Sequence, residues 1–585
     1  MPQTAQIVVL DAGGQYCHLI ARKVREFGIY AEVRASETPA SELAGARGLI
    51  ISGGPSSVYA KDSPTVDPAI FELPSATLGI CYGQQLMAHL LGGDVKPGEK
   101  GEYGLAFLDV ETPLTLLQGV TGRQQVWMSH RDTVLAVPPG FRVLGSTGTC
   151  TVAAMADPER NLWSVQFHPE VVHTHPGKQI LSNFLFGVCQ CVPDWDPSQR
   201  IPVVEEQIRQ VAAGRKVFFF VSGGVDSTVA YTLCLRALDP DHVHGAYVDT
   251  GLMREGETEF VQENFAKLGA KNFTVVDAGA EFLNALGGAV DPERKRHIIG
   301  EQFVAVQERI LQSGHYTDND WILGQGTIYP DTIESGGTTK ADKIKTHHNR
   351  VAGIQRLMDA GRIVEPLSLF YKDEVREIGL ELGIAPEMLE RHPFPGPGLA
   401  IRCLCTEDSG VTKRIAEGFL LPVHSVGVQG DSRTYRPALA LEAMPADEHT
   451  ATELINRIGG INRVVAAVGS HLPLAKLRSS PAHLTAERLD RLRHVDALVR
   501  GMAEESGFDR TIWQFPVVIV PLGGEGREDS VVLRPVDSVD GMTAQAVRME
   551  DSLLRKMTDA LLRVEGICAV FYDLTDKPPG TIEWE

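Results

Sequence analysis

Residues 217–228 read VFFFVSGGVDST. An unbroken apolar run, a Ser-Gly-Gly turn and a Val-Asp-Ser-Thr helix start make the pattern of a buried parallel strand feeding a helix. The backbone N–H groups of such a turn, with the positive end of the helix, bind phosphate. In the common phosphate loop a lysine follows the last glycine and reaches the terminal phosphates. No lysine follows here, and Asp226 stands inside the loop. A carboxylate beside phosphates calls for a cation between them, which points to Mg²⁺ on Asp226. The bland alternative is a strand–helix turn with glycine for geometry and Asp226 as a cap.

Working outward, VHGAYVDTG (243–251) and NFTVVDAG (272–279) repeat the strand pattern, so an α/β domain with a parallel sheet is expected over 196–395. Upstream, IVVLD, GLIISGGP, ATLGICYG and LWSVQFHPE alternate with amphipathic stretches, and a second α/β domain is expected over 1–195. The stretch QCVPDWDPSQRIP (190–202) breaks the rhythm between them, and HPFPGPGL (392–399) marks the next boundary. The remainder, 396–585, reads as an α+β domain with two β-α-β repeats, about 396–475 and 510–585. SVGVQGDSRTY begins at Ser425 and INRVVAAVG at Ile461, an offset of 36; SVVLRPVDSVDG begins at Ser530 and ICAVFYDLT at Ile567, an offset of 37. The expectation is a duplicated module forming a two-fold pseudo-dimer within one polypeptide.

Composition sets outer limits. The 585 residues are 43% hydrophobic and 22% charged, with a formal net charge of −20. So acidic a chain is a poor generic binder of nucleic acid. No signal peptide or membrane-spanning run is read, and nine scattered cysteines point to reduced thiols and a cytoplasmic location. Cys189-x-Cys191 and Cys403-x-Cys405 have the wrong spacing for a zinc ribbon.

A second chemistry lies in 76–93, ATLGICYGQQLMAHLLGG. Cys81 falls between a strand and a helix, flanked by Gly79 and Gly83, which is the logic of a nucleophile elbow with sulfur in place of oxygen. A helix N-terminus favours the thiolate and offers N–H groups to an oxyanion. His168 and Glu170, two apart at a strand end, can act as base and orienting carboxylate. Gly54, at the end of another strand, offers a further oxyanion N–H, while His173 and His175 read as loop residues.

GICYGQQ, HPE and ISGGP resemble the triad-type (class I) glutamine amidotransferases. The resemblance implies Cys81 as nucleophile, His168 as base, Glu170 as its partner, Gly54 and Tyr82 as oxyanion donors and Gln85 as a glutamine contact. SGGVDS after a strand resembles the N-type ATP pyrophosphatases, which cut ATP between the α- and β-phosphates. A loop that grips a leaving pyrophosphate has no need of the kinase lysine.

DPERKRHIIG (291–300), GQGTIYPDTIES (324–335), KIKTHHN (343–349), EPLSLFYKDEVREIGLELG (365–383), RHPFPGPGL (391–399) and DKPPGTIEWE (576–585) together resemble the glutamine-hydrolysing GMP synthases. That likeness implies ATP on Ser222, Gly223, Gly224, Val225, Asp226, Ser227 and Thr228, and XMP on Arg296, Asp431, Lys577 and Glu583. Lys345 would be a lid cation. XMP, ATP and glutamine would be the substrates, Mg²⁺ would accompany ATP, and no nucleic acid or membrane partner is implied. Two departures stand out: Glu528 falls where a neutral Gln is expected beside the nucleotide, and Arg131 in MSHRD falls where Gly is usual. The two C-terminal repeats resemble the longer form of the family, so a monomer is expected in place of the usual homodimer.

Overall fold

The computed structural model describes residues 4–585, apart from 15, 337–351, 393, 430–431, 448–449 and 539–542. Asp431 and Lys345 therefore lie outside the described residues. The chain folds into two compact units. The first comprises Met1–Arg200, Ile328–Asp342 and Leu369–Tyr371; the second comprises Ile201–Thr327, Lys343–Ser368 and Lys372–Glu585.

The first unit is built on a nine-stranded sheet. Ala31–Ala35, Ile7–Asp11, Gly48–Ile51, Ala76–Ile80 and Leu162–Val165 lie side by side in parallel. All five residues of Ala76–Ile80 are buried, as expected of a central strand covered on both faces. Four of these five strands are the apolar runs read from the sequence, which does not reveal the other four strands of the sheet. Ala154–Asp157, Arg142–Ser146, Asp94–Val110 and Arg123–Ala136 extend the sheet antiparallel. Their alternating exposure, seen along Arg123–Ala136, is that of strands with one solvated face. Arg25, buried in this unit, is ringed by Tyr30, Trp195, Tyr329 and Tyr371 with its guanidinium 4.7–5.1 Å from each ring centroid.

The second unit carries two large sheets, together with a three-stranded and a two-stranded one. The five-stranded sheet is wholly parallel, in the order Asn272–Asp277, Val243–Asp249, Lys216–Phe220, Trp321–Gly324, Ile363–Val364. The chain starts in the middle at Lys216–Phe220, builds outward on one side and then on the other. That reversal makes a switch point at the carboxyl end of Lys216–Phe220, where open α/β sheets bind ligands.

The seven-stranded sheet joins the two C-terminal repeats edge to edge. Gly418–Gln429 pairs antiparallel with Ser432–Leu441, which pairs parallel with Arg463–Ser470 after the helix Thr450–Ile458. Val517–Val520, Asp529–Leu533, the helix Asp551–Leu561 and Ile567–Asp573 repeat that path. Arg463–Ser470 and Ile567–Asp573 run antiparallel at the centre. The equivalence read from the offsets of 36 and 37 is one strand out, however. The strand holding Ser425 is the first arm of its hairpin, and the partner of Asp529–Leu533 is Ser432–Leu441. Both arms are apolar runs of similar length, so periodicity alone does not separate them.

Candidate active sites

Cys81 is the residue on which the helix Tyr82–Leu90 starts, and its backbone sits at φ 53°, ψ −106°. A non-glycine residue there is strained, which is the geometry of a nucleophile elbow. The flanking glycines are sterically required. A Cβ on Gly79 would stand 2.6 Å from Gly83 O, and one on Gly83 would stand 2.3 Å from Ile51 O. The helix can start only where it presses backbone to backbone on the strands. Gly83→Ala is expected to destabilise the first unit by about 1–3 kcal/mol through overpacking, read as a drop in its melting temperature; an unchanged melt would contradict this close approach.

His168 Nδ1 and Glu170 Oε1 are 2.7 Å apart, and Cys81 acts electrostatically on the same ring. Cys81, His168 and Glu170 are all buried. Burial alone pushes the His168 pKa down. The Glu170 carboxylate and Cys81 more than reverse that, holding it well above the ordinary imidazole range. The ring is thus kept oriented and able to carry a proton. Thr174 Oγ1 donates to His168 O at 2.6 Å; His168 and Glu170 stand in the turn after Leu162–Val165 and not on the strand itself, so this turn, and not a shared strand face, brings them together.

The remaining residues expected here gather round this group. A Cβ on Gly54 would stand 2.4 Å from Ala12 O and 3.5 Å from the Tyr82 ring. The Tyr82 N–H belongs to the first turn of the helix, where N–H groups have no intrahelical acceptor. Gln85 is buried, its Nε2 donating to Asp132 O at 2.7 Å and Gln166 Oε1 at 3.2 Å. Arg131 is exposed on Arg123–Ala136. Two neighbours escape a reading of the sequence alone. Ser129 O lies 3.6 Å from Cys81 Sγ. A Cβ on Gly53 would meet His168 at 3.0 Å and Cys81 at 3.5 Å, so the second chemistry also rests on that glycine. The Gly-Gly in ISGGP is the signal for Gly53.

In the second unit the loop after Lys216–Phe220 is tied by its own hydroxyls. Ser222 Oγ and Ser227 Oγ are 3.0 Å apart, Gly224 N donates to Ser222 Oγ at 3.2 Å, and Thr228 Oγ1 donates to Gly224 O at 2.9 Å. Gly223 takes φ 73°, and Val225 opens the helix Val225–Ala237. A Cβ on Gly326, in the loop after Trp321–Gly324, would stand 2.9 Å from Ser227 N, so the loops of both switch-point strands meet here. Asp226 has a partner that the sequence does not reveal. Lys372 Nζ donates to both its carboxylate oxygens, at 2.7 and 2.6 Å. The loop that lacks a lysine of its own has one from the helix Lys372–Glu381.

The expected XMP residues belong to this same unit. The C-terminal stretch runs beside Gly418–Gln429: Val428 N donates to Pro579 O and Val426 N to Trp584 O. Glu583 accepts from Arg402, Lys577 pairs through its main chain with Ala544, and Arg296 donates to Glu585 O. Glu528 is exposed in the turn before Asp529–Leu533.

Residues 8–188 match the family model for class-I glutamine amidotransferases, and residues 502–584 match that for the GMP synthase C-terminal domain, taking in the second repeat. A probable glutamine-hydrolysing GMP synthase of Leptospira interrogans is 42% identical to this chain over 605 residues, covering 99% of each. The glutamine-hydrolysing GMP synthases of Natranaerobius thermophilus and Aquifex aeolicus are each 39% identical, covering 99% and 100% of both chains respectively. Likeness of this degree along the whole of both chains makes this protein a member of the glutamine-hydrolysing GMP synthase family.

Proposed function

We propose that the first unit releases ammonia from glutamine at Cys81, and that the second unit uses ATP to activate XMP for amination to GMP. The observation that carries the first half is the buried Cys81–His168–Glu170 set on a strained elbow. His168 takes the thiol proton, and the thiolate attacks the side-chain carbonyl carbon of glutamine. The N–H groups of Gly54 and Tyr82 receive the oxyanion. Ammonia leaves with the proton returned by His168, and water then hydrolyses the γ-glutamyl thioester to glutamate. Gln85 helps shape the glutamine pocket.

In the second unit the reaction divides between its part of 196–395 and the stretch 396–585. Ser222 through Thr228 cradle the pyrophosphate that leaves as the XMP C2 oxygen attacks the α-phosphate. Ammonia then displaces AMP from C2. Arg296, Asp431, Lys577 and Glu583 hold XMP. One carboxylate on a loop that also carries Ser222, Ser227 and Thr228 suits a Mg²⁺ that arrives on ATP, since that ion keeps most of its ligands from phosphate and water. Asp226 would hold it, and it would neutralise charge on the phosphates. Lys372 already faces Asp226, and is available to the same phosphates.

Pyrophosphate release separates this reading from that of a synthetase acting on carboxylates. Release is expected with XMP and ATP and not when a carboxylate acceptor such as deamido-NAD replaces XMP; equal release with the carboxylate would overturn it. We further propose a cytoplasmic monomer, because the repeats already pair with each other across Arg463–Ser470 and Ile567–Asp573. Light scattering should give the mass of one chain, and the mass of two would refute this. Among the described residues no helix is long and apolar enough to cross a membrane.

A further inference from the structure

The last residues of the chain are held by three arginines from three different places, each 0% exposed: Arg402, Arg463 and Arg534. A guanidinium out of water is costly unless its hydrogen bonds are met, so each needs an account. Two of them grip the backbone. Arg463 donates to Thr581 O at 2.8 Å and Glu583 O at 2.7 Å; Arg534 donates to Ile582 O and Thr581 O, both at 2.8 Å. Both also pair with the buried Asp573, to which Trp584 Nε1 donates. With Lys295 on the Glu585 side chain at 2.6 Å, the segment is already anchored.

Arg402 does something different. Its guanidinium grips one side chain of the segment, Nε to Glu583 Oε2 at 2.9 Å and Nη2 to Oε1 at 2.7 Å. Gln514 Nε2 adds a third contact to Oε1 at 3.4 Å. Burial works against the Arg402 charge, and the Glu583 carboxylate overcomes it. Oε1 thus accepts from both Arg402 and Gln514, while Oε2 takes one guanidinium N–H and keeps a lone pair pointing elsewhere. The Glu583 side chain stays 14% exposed while Arg402 is wholly covered, so the open edge of the pair is an acceptor edge. Arg402 Nη1, buried and without a partner among the described residues, is a spare donor beside it.

We propose that Arg402 is a positioning residue for XMP: it fixes the Glu583 side chain as an acceptor for an N–H or O–H group of the nucleotide. This rests on the reading of Glu583 as an XMP residue. A fork of two parallel N–H groups sets the carboxylate plane, which the point charge of a lysine does not.

The test is a double-mutant cycle on the full-length enzyme with added ammonium as nitrogen donor, so that the glutamine site plays no part. KM for XMP is measured for Glu583→Gln, Arg402→Lys and the double variant. Each single change is expected to raise it roughly ten- to hundredfold, as loss of a charged hydrogen bond does, with KM for ATP unchanged. In the double variant the effect should exceed the larger single one by no more than about twofold, because Arg402 acts through Glu583. Multiplicative effects, or an equal rise in KM for ATP, would reduce Arg402 to a structural role and overturn the inference alone. An unchanged KM for XMP in Glu583→Gln would remove the reading of Glu583 and the inference with it. For a variant too unstable to assay, the same cycle is read from the XMP-induced rise in Tm.

Discussion

Cys81→Ala is expected to lower GMP formation from glutamine on the order of 10⁴-fold or more, while formation from added ammonium stays within about twofold of the unmodified enzyme. Nothing else in the site replaces the sulfur. Ser129 O beside it is a carbonyl, and the neighbouring ring of His168 is held by Glu170 at 2.7 Å in the orientation of a base. Alanine also removes the Sγ contact to Ser129 O, but not the steric constraints on the elbow, which lie in Gly79 and Gly83. The fold should therefore survive the change. Supplying ammonium bypasses the site entirely, and the bypass should strengthen as pH rises, since neutral ammonia is the nucleophile. Parallel rates with glutamine and with ammonium, measured as GMP produced, decide the matter. Loss of both activities would mean that Cys81 serves the whole enzyme and not one unit of it.

How far the sequence foretells all this depends on how local the constraint is. The elbow at Cys81 is legible because its requirements lie within five residues: glycine, any residue, cysteine, any residue, glycine, each glycine set by a contact that a Cβ would break. The loop at Ser222–Thr228 is legible for the same reason, as a strand, a turn and a helix start in one run. The antiparallel extension of the first sheet is not, because Asp94–Val110 and Arg123–Ala136 carry a one-sided pattern that a surface loop region can also show. Nor is the correct pairing of the repeats, which depends on which arm of a hairpin meets the returning strand. The partners of Asp226 and Glu583 are out of reach altogether. Lys372 is 146 positions from Asp226 and Arg402 is 181 from Glu583. Both stand in or beside stretches that read as motifs, KDEVREIGLELG and HPFPGPGL, yet a motif says only that a residue matters and not what it touches.

Asp226→Ala is expected to reduce XMP-dependent pyrophosphate release about a thousandfold or more, with glutamine hydrolysis in the first unit retained. The effect should be large because the residue has two roles. Its carboxylate is the counter-charge for Lys372, both oxygens within 2.7 Å of the ammonium. With ATP bound, we propose it faces a Mg²⁺ held on the phosphates, and a cation so close to that ion would be repelled. Lys372 would then turn to the phosphates themselves, filling the place that the loop's own sequence leaves empty. The two residues are thereby distinguishable. Lys372→Met should raise KM for ATP by roughly tenfold or more, as the loss of one charge-assisted bond to phosphate does, while the Mg²⁺ concentration for half-maximal rate holds steady. Asp226→Asn should instead shift that Mg²⁺ concentration upward, because an amide oxygen is a weaker ligand for a hard cation than a carboxylate. Pyrophosphate release titrated with Mg²⁺ at fixed ATP reads both. A shift of the Mg²⁺ midpoint in Lys372→Met and none in Asp226→Asn would reverse the assignment. Retained release in Asp226→Ala would take the carboxylate out of the adenylating step and leave it a partner of Lys372 alone.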